Sequence, residues 1–420
     1  METFSTMEVI YRCCAGLDVH KQTVECAVRR MQEGGRVEVQ VRRFGTMTDD
    51  LLEMVKWLEA QGVTHVAMES TGVFWKPIYN ILEGHCTVLL VNARHVKQVP
   101  GRKTDVRDCQ WLAQLLQYGL LKGSFIPPRW QRDLRDLTRE RTQLTDEQTR
   151  VANRIHKVLE DANIKLGSVA TDILGVSGRD ILERLMAGEE DVEKLAERAR
   201  GKLRGKIPEL RRALQGHLSE HHRFQLRLNW NHLRSLQELI EQLDERIRKL
   251  CKPYQAQIEG LDEIVGVNQA GAESILAEVG VDMEVFPSEG HLCAWGGMCS
   301  GNNESAGKRR SGRTPKGSRW LRRTLALAAQ AAGHAKDSFL ASRFRRLAAR
   351  RGKKRACVAV GHSILKIVYH ILKDGRSYQD LGGGYFDRLN PERLTRYLVR
   401  RLERLGLKVT LEPATVAQSS

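Results

Sequence analysis

The first part of the chain alternates strand-like and helix-like patterns of apolar residues. Buried or alternating apolar runs predict five strands, at residues 15–19, 23–30, 37–44, 65–68 and 87–91. Gly34-Gly35 is a turn signal between the second and third runs. Helical periodicity follows the third run, at 48–60, and the fourth, at 73–82. The pattern predicts three antiparallel strands followed by alternating helices and strands.

This order of elements is typical of a ribonuclease-H-like α/β domain. A long helix is predicted after the fifth strand, from about residue 103 to 121, and Pro127-Pro128 then ends the unit. The sequence therefore predicts a first domain of this class over residues 1–128.

The rest of the chain has helical periodicity. Two segments, about 130–159 and 226–250, repeat apolar residues every seven positions: Leu137, Leu144, Val151 and Val158 in the first; Leu226, Leu233, Ile240 and Ile247, with Leu236, Leu243 and Leu250, in the second. Such heptads predict amphipathic coiled-coil helices, with shorter helices at 172–216 between them. The facing helix can come from the same chain, as a hairpin, or from a second copy, and the sequence favours neither.

A Val-Gly-Val turn at 265–267 separates two short helical patterns within residues 261–280. This arrangement resembles a helix-hairpin-helix, which offers backbone amides to phosphate, and a plain helical corner is the alternative. Residues 356–372 are apolar enough for a buried core helix. We expect a helical coiled-coil region at 129–255, a basic, mostly helical all-α domain at 256–405 and a tail at 406–420.

Charge indicates the class of partner. The 420 residues include 68 Lys or Arg and 51 Asp or Glu, a net charge of +17. Residues 301–355 alone hold 17 basic and two acidic residues. Because apolar residues recur there at helical spacing, the pattern favours folded basic helices that bind nucleic-acid phosphates over a disordered tail.

Other classes of protein are disfavoured. No apolar run approaches a membrane span, and the chain does not begin with a secretory signal pattern. The nine cysteines are odd in number and irregularly spaced, and none forms a Cys-x-x-Cys pair. Disulfides and a zinc site at Cys293 and Cys299 are therefore not expected. We expect a cytoplasmic location in a bacterial cell.

Four carboxylates form the first candidate site. Asp18 ends the first predicted strand and Glu69 ends the fourth, and these strand ends are neighbours in a ribonuclease-H-like sheet. Asp105 and Asp108 are spaced i, i+3 on one helix face. Singly, each acid is consistent with a turn, a helix cap or a solvated surface. Four converging carboxylates repel one another unless cations lie between them, and oxygen ligands select Mg²⁺ or Mn²⁺. Two such ions, about 4 Å apart, can bind the attacking and the leaving oxygen when a phosphodiester bond is cut or transferred.

The motifs around these acids resemble a known family. They are GLDVHKQT from Gly16, MESTGVFWKPIYNIL from Met68 and VNARHVKQVPGRKTDVRDCQWLAQLLQYGLL from Val91. These segments are similar to the DEDD transposases of bacterial insertion sequences, the IS-one-ten group and its IS-eleven-eleven branch. The spacing of Asp18, Glu69, Asp105 and Asp108 fits the four acidic residues of that family.

A second motif, CAWGGMCSGNNESAGKRRSGRTPKGSRWLRRTLALAA at residues 293–329, resembles the C-terminal domain of the same family. That domain carries a catalytic serine and, downstream, Lys-x-Gly-Asn. The resemblance places the serine at Ser305 and the downstream motif at Lys316. The match departs from the family in three ways: Ala306 follows Ser305, Ser300 replaces a proline and Ser318 replaces the asparagine. Ser300 and Ser311 remain rival nucleophiles.

Basic residues surround the candidate serine and can stabilise negative charge on a phosphate. The predicted nucleic-acid-binding set is Lys308, Arg309, Arg310, Arg313, Lys316, Arg319, Arg322 and Arg323. The resemblance implies a recombinase that cuts donor and target DNA, holds it through a phosphoserine link and rejoins new partners. It also implies guidance by a structured, element-encoded non-coding RNA (a bridge RNA), and dimers that assemble into tetramers.

Two alternatives remain open from the residues. One is a Mg²⁺-dependent endonuclease of the Holliday-junction resolvase type, in which water attacks and no covalent link forms. The other is a non-catalytic nucleic-acid-binding protein, in which substitution of Asp18 or Glu69 removes no reaction.

Overall fold

A computed structural model of the chain describes residues 8–70, 72–93, 96, 108–301, 303–305 and 308–412. The chain divides into two compact units, Met1–Pro127 and Pro128–Ser420. The first unit contains a sheet and the second is almost entirely helical. The predicted combination of an α/β start with a helical remainder is confirmed.

The first unit is built on a five-stranded sheet of order β3-β2-β1-β4-β5. Its strands are β1 (Cys13–Val19), β2 (Thr23–Met31), β3 (Val37–Gly45), β4 (His65–Glu69) and β5 (Thr87–Val91). Strands β1 to β3 form an antiparallel meander, and β4 pairs in parallel with both β1 and β5. The helices are α1 (Thr48–Ala60), α2 (Trp75–Leu82) and α3 (Asp108–Gln117). All five predicted strands are present, and the described part of the predicted 103–121 helix begins at Asp108.

The two faces of this sheet are covered by different helices. Leu17 and Met68 point to one face and pack with residues of α1 and α2 such as Met54 and Ile78. Cys14 and Ala67 point to the other face, against Trp111 and other residues of α3. Because side chains alternate along a strand, residues next to Leu17 and Met68 point toward the face covered by α3.

The second unit contains fourteen helices and one two-stranded hairpin among its described residues. The α-helices are α4 (Arg129–Asp161), α5 (Leu166–Val169), α6 (Val176–Ala187), α7 (Val192–Ala196), α8 (Ile207–Leu214), α9 (Glu220–Cys251), α10 (Gln255–Asp262), α11 (Gln269–Val279), α12 (Glu289–Trp295), α13 (Arg319–His334), α14 (Phe339–Arg351), α15 (Lys353–Asp374), α16 (Tyr385–Leu389) and α17 (Pro391–Glu403). Short 3-10 turns span Gly201–Lys206 and Lys252–Tyr254, and the hairpin strands are β6 (Asn303–Ser305) and β7 (Lys308–Ser311). The sequence did not predict this hairpin.

The two heptad helices, α4 and α9, pack against each other within one chain. His222 contacts Asp161 at 3.0 Å, and Arg141 contacts Asp244 at 2.9 Å, so the helices run antiparallel. Heptad residues of both helices, including Val151 and Leu233, lie in one core. Of the two arrangements that the sequence left open, the structure shows the intramolecular hairpin.

The helical hairpin of α4 and α9 packs into a different hydrophobic core at each of its two ends. Near Val151 it packs against the short helices of residues 166–214. Near Leu134 and Ile247 it packs against the C-terminal helices, with α15 at the centre. By length and composition α15 could cross a membrane, although the sequence suggested no such run. Val360, Ile364 and Val368 are fully buried, so α15 is the core helix predicted at 356–372.

Candidate active site

Asp18 and Glu69 lie at the same end of two neighbouring strands. Leu17 pairs with Met68 in the parallel β1–β4 ladder, and Asp18 and Glu69 are the next residues of their strands. Both alternate with residues buried under α1 and α2, so both point toward the face covered by α3. The predicted adjacency of these two strand ends is present in the structure.

Asp108 is brought to the same region because α3 lies very close to β1. A Cβ built on Gly16 would overlap the Cys109 carbonyl oxygen and lie 2.5 Å from the Ala113 nitrogen. Cys14 also donates a hydrogen bond from Sγ to the Ala113 carbonyl oxygen, at 3.4 Å. Asp108 is the first residue of α3 and directly precedes Cys109, so the helix start lies beside the strand that carries Asp18.

The electrostatics of Asp18 reflect this crowding. Burial raises the pKa of Asp18 above its ordinary value, and the negative charges of Asp108 and Glu25 raise it further. His20 opposes the shift, with Nε2 3.2 Å from Asp18 Oδ2. Asp18 and Asp108 are therefore close enough for their negative charges to interact, and a cation between them would relieve their repulsion.

The fourth acid, Asp105, lies outside the described residues. Among the residues that are described, no three His, Cys, Asp or Glu side chains are grouped closely enough to hold an ion. The donor chemistry still fits a hard divalent cation, since the predicted ligands are all carboxylates.

Ser305 is the last residue of β6 and pairs with Lys308 across the two-stranded hairpin. The side chains of Ser305, Arg309 and Arg310 lie outside what the structure describes. The basic residues on β7 and Ser305 are thus placed on one small antiparallel hairpin, where the sequence suggested a Gly-rich turn.

The rival serines have different surroundings. Ser311 ends β7, and its Oγ accepts a hydrogen bond from the Arg313 amide at 3.2 Å, so it stabilises the turn after the hairpin. Ser300 is exposed and lines a cavity together with Arg313 and His362. The choice of Ser305 as the nucleophile stays a prediction.

Some of the predicted phosphate-binding cations already have partners within the second unit. Arg323 forms a two-bond ion pair with Asp146, and these hydrogen bonds raise the pKa of Arg323. Arg322 donates to Thr314 Oγ1 at 3.1 Å. Arg319 lies 4.5 Å from the centre of the Trp320 ring, a cation–π contact. Lys308, Arg313 and Lys316 are exposed.

Glu278 is a buried acid that the sequence did not single out. It is 3% exposed and accepts hydrogen bonds from Arg139, at 2.8 and 3.0 Å, and from Ser318 Oγ at 2.8 Å. Ser318 Oγ in turn accepts from the Leu321 amide at 3.3 Å and caps the basic helix α13. Glu278 therefore fixes the start of that helix. An acid within an apolar helical pattern was the available signal.

Two parts of the chain match family models. Residues 15–164 match a transposase model of the DEDD type found in IS110 elements. Residues 259–343 match a model described as transposase of the IS116/IS110/IS902 family. The first match includes all four candidate acids, and the second includes Ser300, Ser305 and Ser311. No curated protein matches the chain significantly.

Proposed function

This chain carries two IS110-family transposase domains and is therefore a transposase that acts on DNA, and we propose that it recombines donor and target DNA through a phosphoserine intermediate. The observation that carries the catalytic part is the shared location of Asp18, Glu69 and the start of α3, which Asp108 begins. The sheet order β3-β2-β1-β4-β5 supports a ribonuclease-H-like first domain.

In this proposal Asp18, Glu69, Asp105 and Asp108 hold Mg²⁺ or Mn²⁺. When bound, such ions polarise phosphate oxygens and stabilise the charge that develops on them. The carboxylates themselves orient the ions toward one face of the sheet. The raised pKa of Asp18 supports this role, because burial and then the negative charges of Asp108 and Glu25 disfavour its ionised form, and a bound cation would favour it.

The proposed covalent step uses Ser305. Its Oγ forms a bond to the scissile phosphorus as the P–O bond to one strand oxygen breaks, and the serine hydroxyl proton ends on that departing oxygen, which leaves as a strand hydroxyl. In the reverse direction a strand hydroxyl of the new partner attacks the phosphoserine and regenerates Ser305. Lys308 on β7, and Arg313 and Lys316 in the loop after it, are exposed. In this proposal their positive charges stabilise the phosphate charge.

We also propose that a structured guide RNA encoded by the element selects the two DNA sites, and that dimers assemble into tetramers. The support for RNA binding is the resemblance together with the basic block at 301–355, which contains 17 basic and two acidic residues. Because the two heptad helices pack within one chain, the surfaces that join subunits must lie outside their shared seam.

The test is a trapping assay. Full-length protein, Mg²⁺, the element RNA and labelled donor and target DNA are incubated, and the products are separated on a denaturing gel. We expect a covalent protein–DNA band that is lost in Ser305→Ala and retained in Ser300→Ala and Ser311→Ala. Asp18→Asn should abolish the band while leaving DNA binding intact.

The other outcomes are equally informative. Cleavage that needs Asp18 but gives no covalent band and survives Ser305→Ala would identify a resolvase-like endonuclease. Loss of the band in Ser311→Ala or Ser300→Ala alone would move the nucleophile to that residue. Binding without any cleavage, unchanged by Asp18→Asn, would leave only a nucleic-acid-binding protein. A covalent band that forms without RNA would show that the reaction does not need a guide RNA.

A further inference from the structure

Strand β3 forms one edge of the sheet in the first unit and pairs only with β2 among the described residues. The opposite edge is partly closed, because Val91 of β5 bridges to Gly123 and the Leu90 carbonyl oxygen accepts a hydrogen bond from the Ser124 amide at 2.6 Å. No described segment closes β3 in this way. An open edge presents a row of unpaired backbone groups to which another strand can add.

The backbone groups that β3 leaves free follow from the hydrogen bonds of the sheet. The Met31 amide donates to the Arg12 carbonyl oxygen, just before β1, whereas the Gln32 amide donates to the Arg36 carbonyl oxygen on the β3 side. Because the bonding side alternates along an antiparallel strand, the even-numbered residues of β3 bond to β2. The N–H and C=O groups of the odd-numbered residues, from Val37 to Arg43, therefore point away from the sheet.

Strand β3 lacks several features that keep edge strands from pairing. Natural edges are often blocked by bulges, prolines or lysines. Strand β3 is nine residues long, its register with β2 has no bulge, and it contains neither proline nor lysine. Val39 is 38% exposed, and Val37 and Val41 on the same face are partly exposed. The strand is therefore suited to pairing, and its side chains determine which partner fits.

The other face of β3 carries two opposite charges at equal distances from Gln40. Glu38 lies two residues before Gln40 and Arg42 two residues after it. Both point to the face covered by α1, where Arg42 forms an ion pair with Glu53. Hydrogen bonds from Gln40 and Gln32 lower the pKa of Glu38, so this carboxylate is ionised at neutral pH. A strand with this pattern is complementary to an inverted copy of itself.

Among the antiparallel registers that overlap most of the strand, one pairs these charges. With Gln40 opposite the partner's Gln40, each Glu38 lies opposite the partner's Arg42. A shift of two residues in one direction places Arg36 opposite the partner's Arg42, and the reverse shift places Glu38 opposite the partner's Phe44. A shift of one residue would set free backbone groups against groups already bonded to β2. The side chains therefore select a single symmetric arrangement.

We propose that β3 joins two copies of this chain by this antiparallel pairing, so that two five-stranded sheets become one across a twofold axis at Gln40. In this arrangement each Val39 exchanges backbone hydrogen bonds with the partner's Val41, and the two valines cover each other on the face that α3 covers. The inference rests on the proposed dimers, for which it names the joining surface, and it needs neither Ser305 nor a metal ion.

The test uses two charge variants of the full-length protein, each alone and in an equimolar mixture, with dimers measured by sedimentation velocity. Glu38→Arg sets two basic residues opposite each other and Arg42→Glu two acidic ones, so each should raise the dimer dissociation constant about tenfold or more. The mixture should form heterodimers of nearly wild-type affinity, because every cross-strand pair then joins opposite charges. Glu33→Arg is the matched control: it makes the same charge change at an exposed residue outside β3 and should dimerise like wild type.

Val39→Pro provides a second measurement. The Val39 amide points outward, so proline there removes no bond to β2 but prevents a strand from adding to the edge. We expect Val39→Pro to be monomeric and Val39→Thr, which keeps the amide, to dimerise. Hydrogen exchange of the β3 amides should slow with rising protein concentration in Val39→Thr and not in Val39→Pro.

The outcomes separate this surface from the proposed dimers. Heterodimers no tighter than the two variant homodimers, or a Val39→Pro dimer of wild-type affinity, would overturn β3 as the surface and leave the dimers in place. Wild-type protein that stays monomeric with and without the element RNA would overturn both.

Discussion

Gly16 lies so close to α3 that a Cβ on it would be 2.5 Å from the amide nitrogen of Ala113. The neighbouring atoms are backbone and cannot rotate away, so any side chain at this position must push the helix from the strand. Since Asp108 begins this helix and Asp18 lies two residues beyond Gly16, the contact also sets the separation of two candidate metal ligands.

We therefore predict that Gly16→Ala destabilises the first unit by about 1–3 kcal/mol through overpacking. Gly123→Ala is the matched control, because its added Cβ would meet only Leu89 at an ordinary 3.6 Å. Urea unfolding, with hydrogen exchange of the β1 amides, measures both variants. Equal stability of the two would show that α3 is free to move. A loss of Mg²⁺-dependent activity in Gly16→Ala that exceeds its loss of fold would confirm that the contact positions Asp108.

Asp18 should show a conflict between stability and function. Its raised pKa means that the folded protein binds this proton more tightly than the unfolded chain does. The ionised Asp18 therefore destabilises the folded state. This destabilisation is absent well below the ordinary pKa of 3.8, grows as the pH rises above that value and is complete above the raised pKa of the folded protein. Asp18→Asn should thus unfold at a higher temperature than wild type at neutral pH, and the difference should shrink toward acid pH.

The same variant tests the metal site. Mg²⁺ should raise the unfolding temperature of wild-type protein, because it binds the folded state alone, and should have little effect on Asp18→Asn. Glu33→Gln is the control, since Glu33 is an exposed acid outside the predicted ligand set. A stabilisation by Mg²⁺ that is identical in all three proteins would rule out Asp18 as a ligand.

These residues show how far the sequence alone reaches. The strand ends at Asp18 and Glu69 were predictable because period-two patterns mark strands and the order of elements fixes their neighbours. The heptads of α4 and α9 predicted which face of each helix is buried but not which helix packs against it, since the same repeat is found in an intramolecular hairpin and in a dimer. The link between Glu278 and Ser318 joins residues 40 positions apart, and no local pattern reports such a contact.

Glu278 provides a test of how the basic helix α13 is fixed. Glu278→Gln keeps the size of the side chain but removes the charge that pairs with Arg139, so we expect a loss of about 1.5–3 kcal/mol. Ser318→Ala should cost about 1 kcal/mol as a lost helix cap, whereas Ser318→Asn should retain most of the stability, since asparagine also caps helices. A double-mutant cycle between positions 278 and 318 measures their coupling. A coupling energy of zero would show that the 2.8 Å hydrogen bond does not contribute in solution.

Arg141 joins three helices of the second unit and should be its most sensitive charged residue. Its Nη1 lies 2.6 Å from Glu273 on α11 and 2.9 Å from Asp244 on α9, and Glu273 is 3% exposed. Arg141→Met leaves Glu273 buried without its partner, and such a loss costs about 3–5 kcal/mol. Lys249→Ala breaks an exposed pair with Glu245 and should leave the stability almost unchanged.

Because an apolar pair leaves no buried charge, the double variant Arg141→Met, Glu273→Leu should recover most of the stability in urea unfolding. If the double variant is as unstable as Arg141→Met, the loss comes from packing or from the bond to Ala270 rather than from an unpaired Glu273.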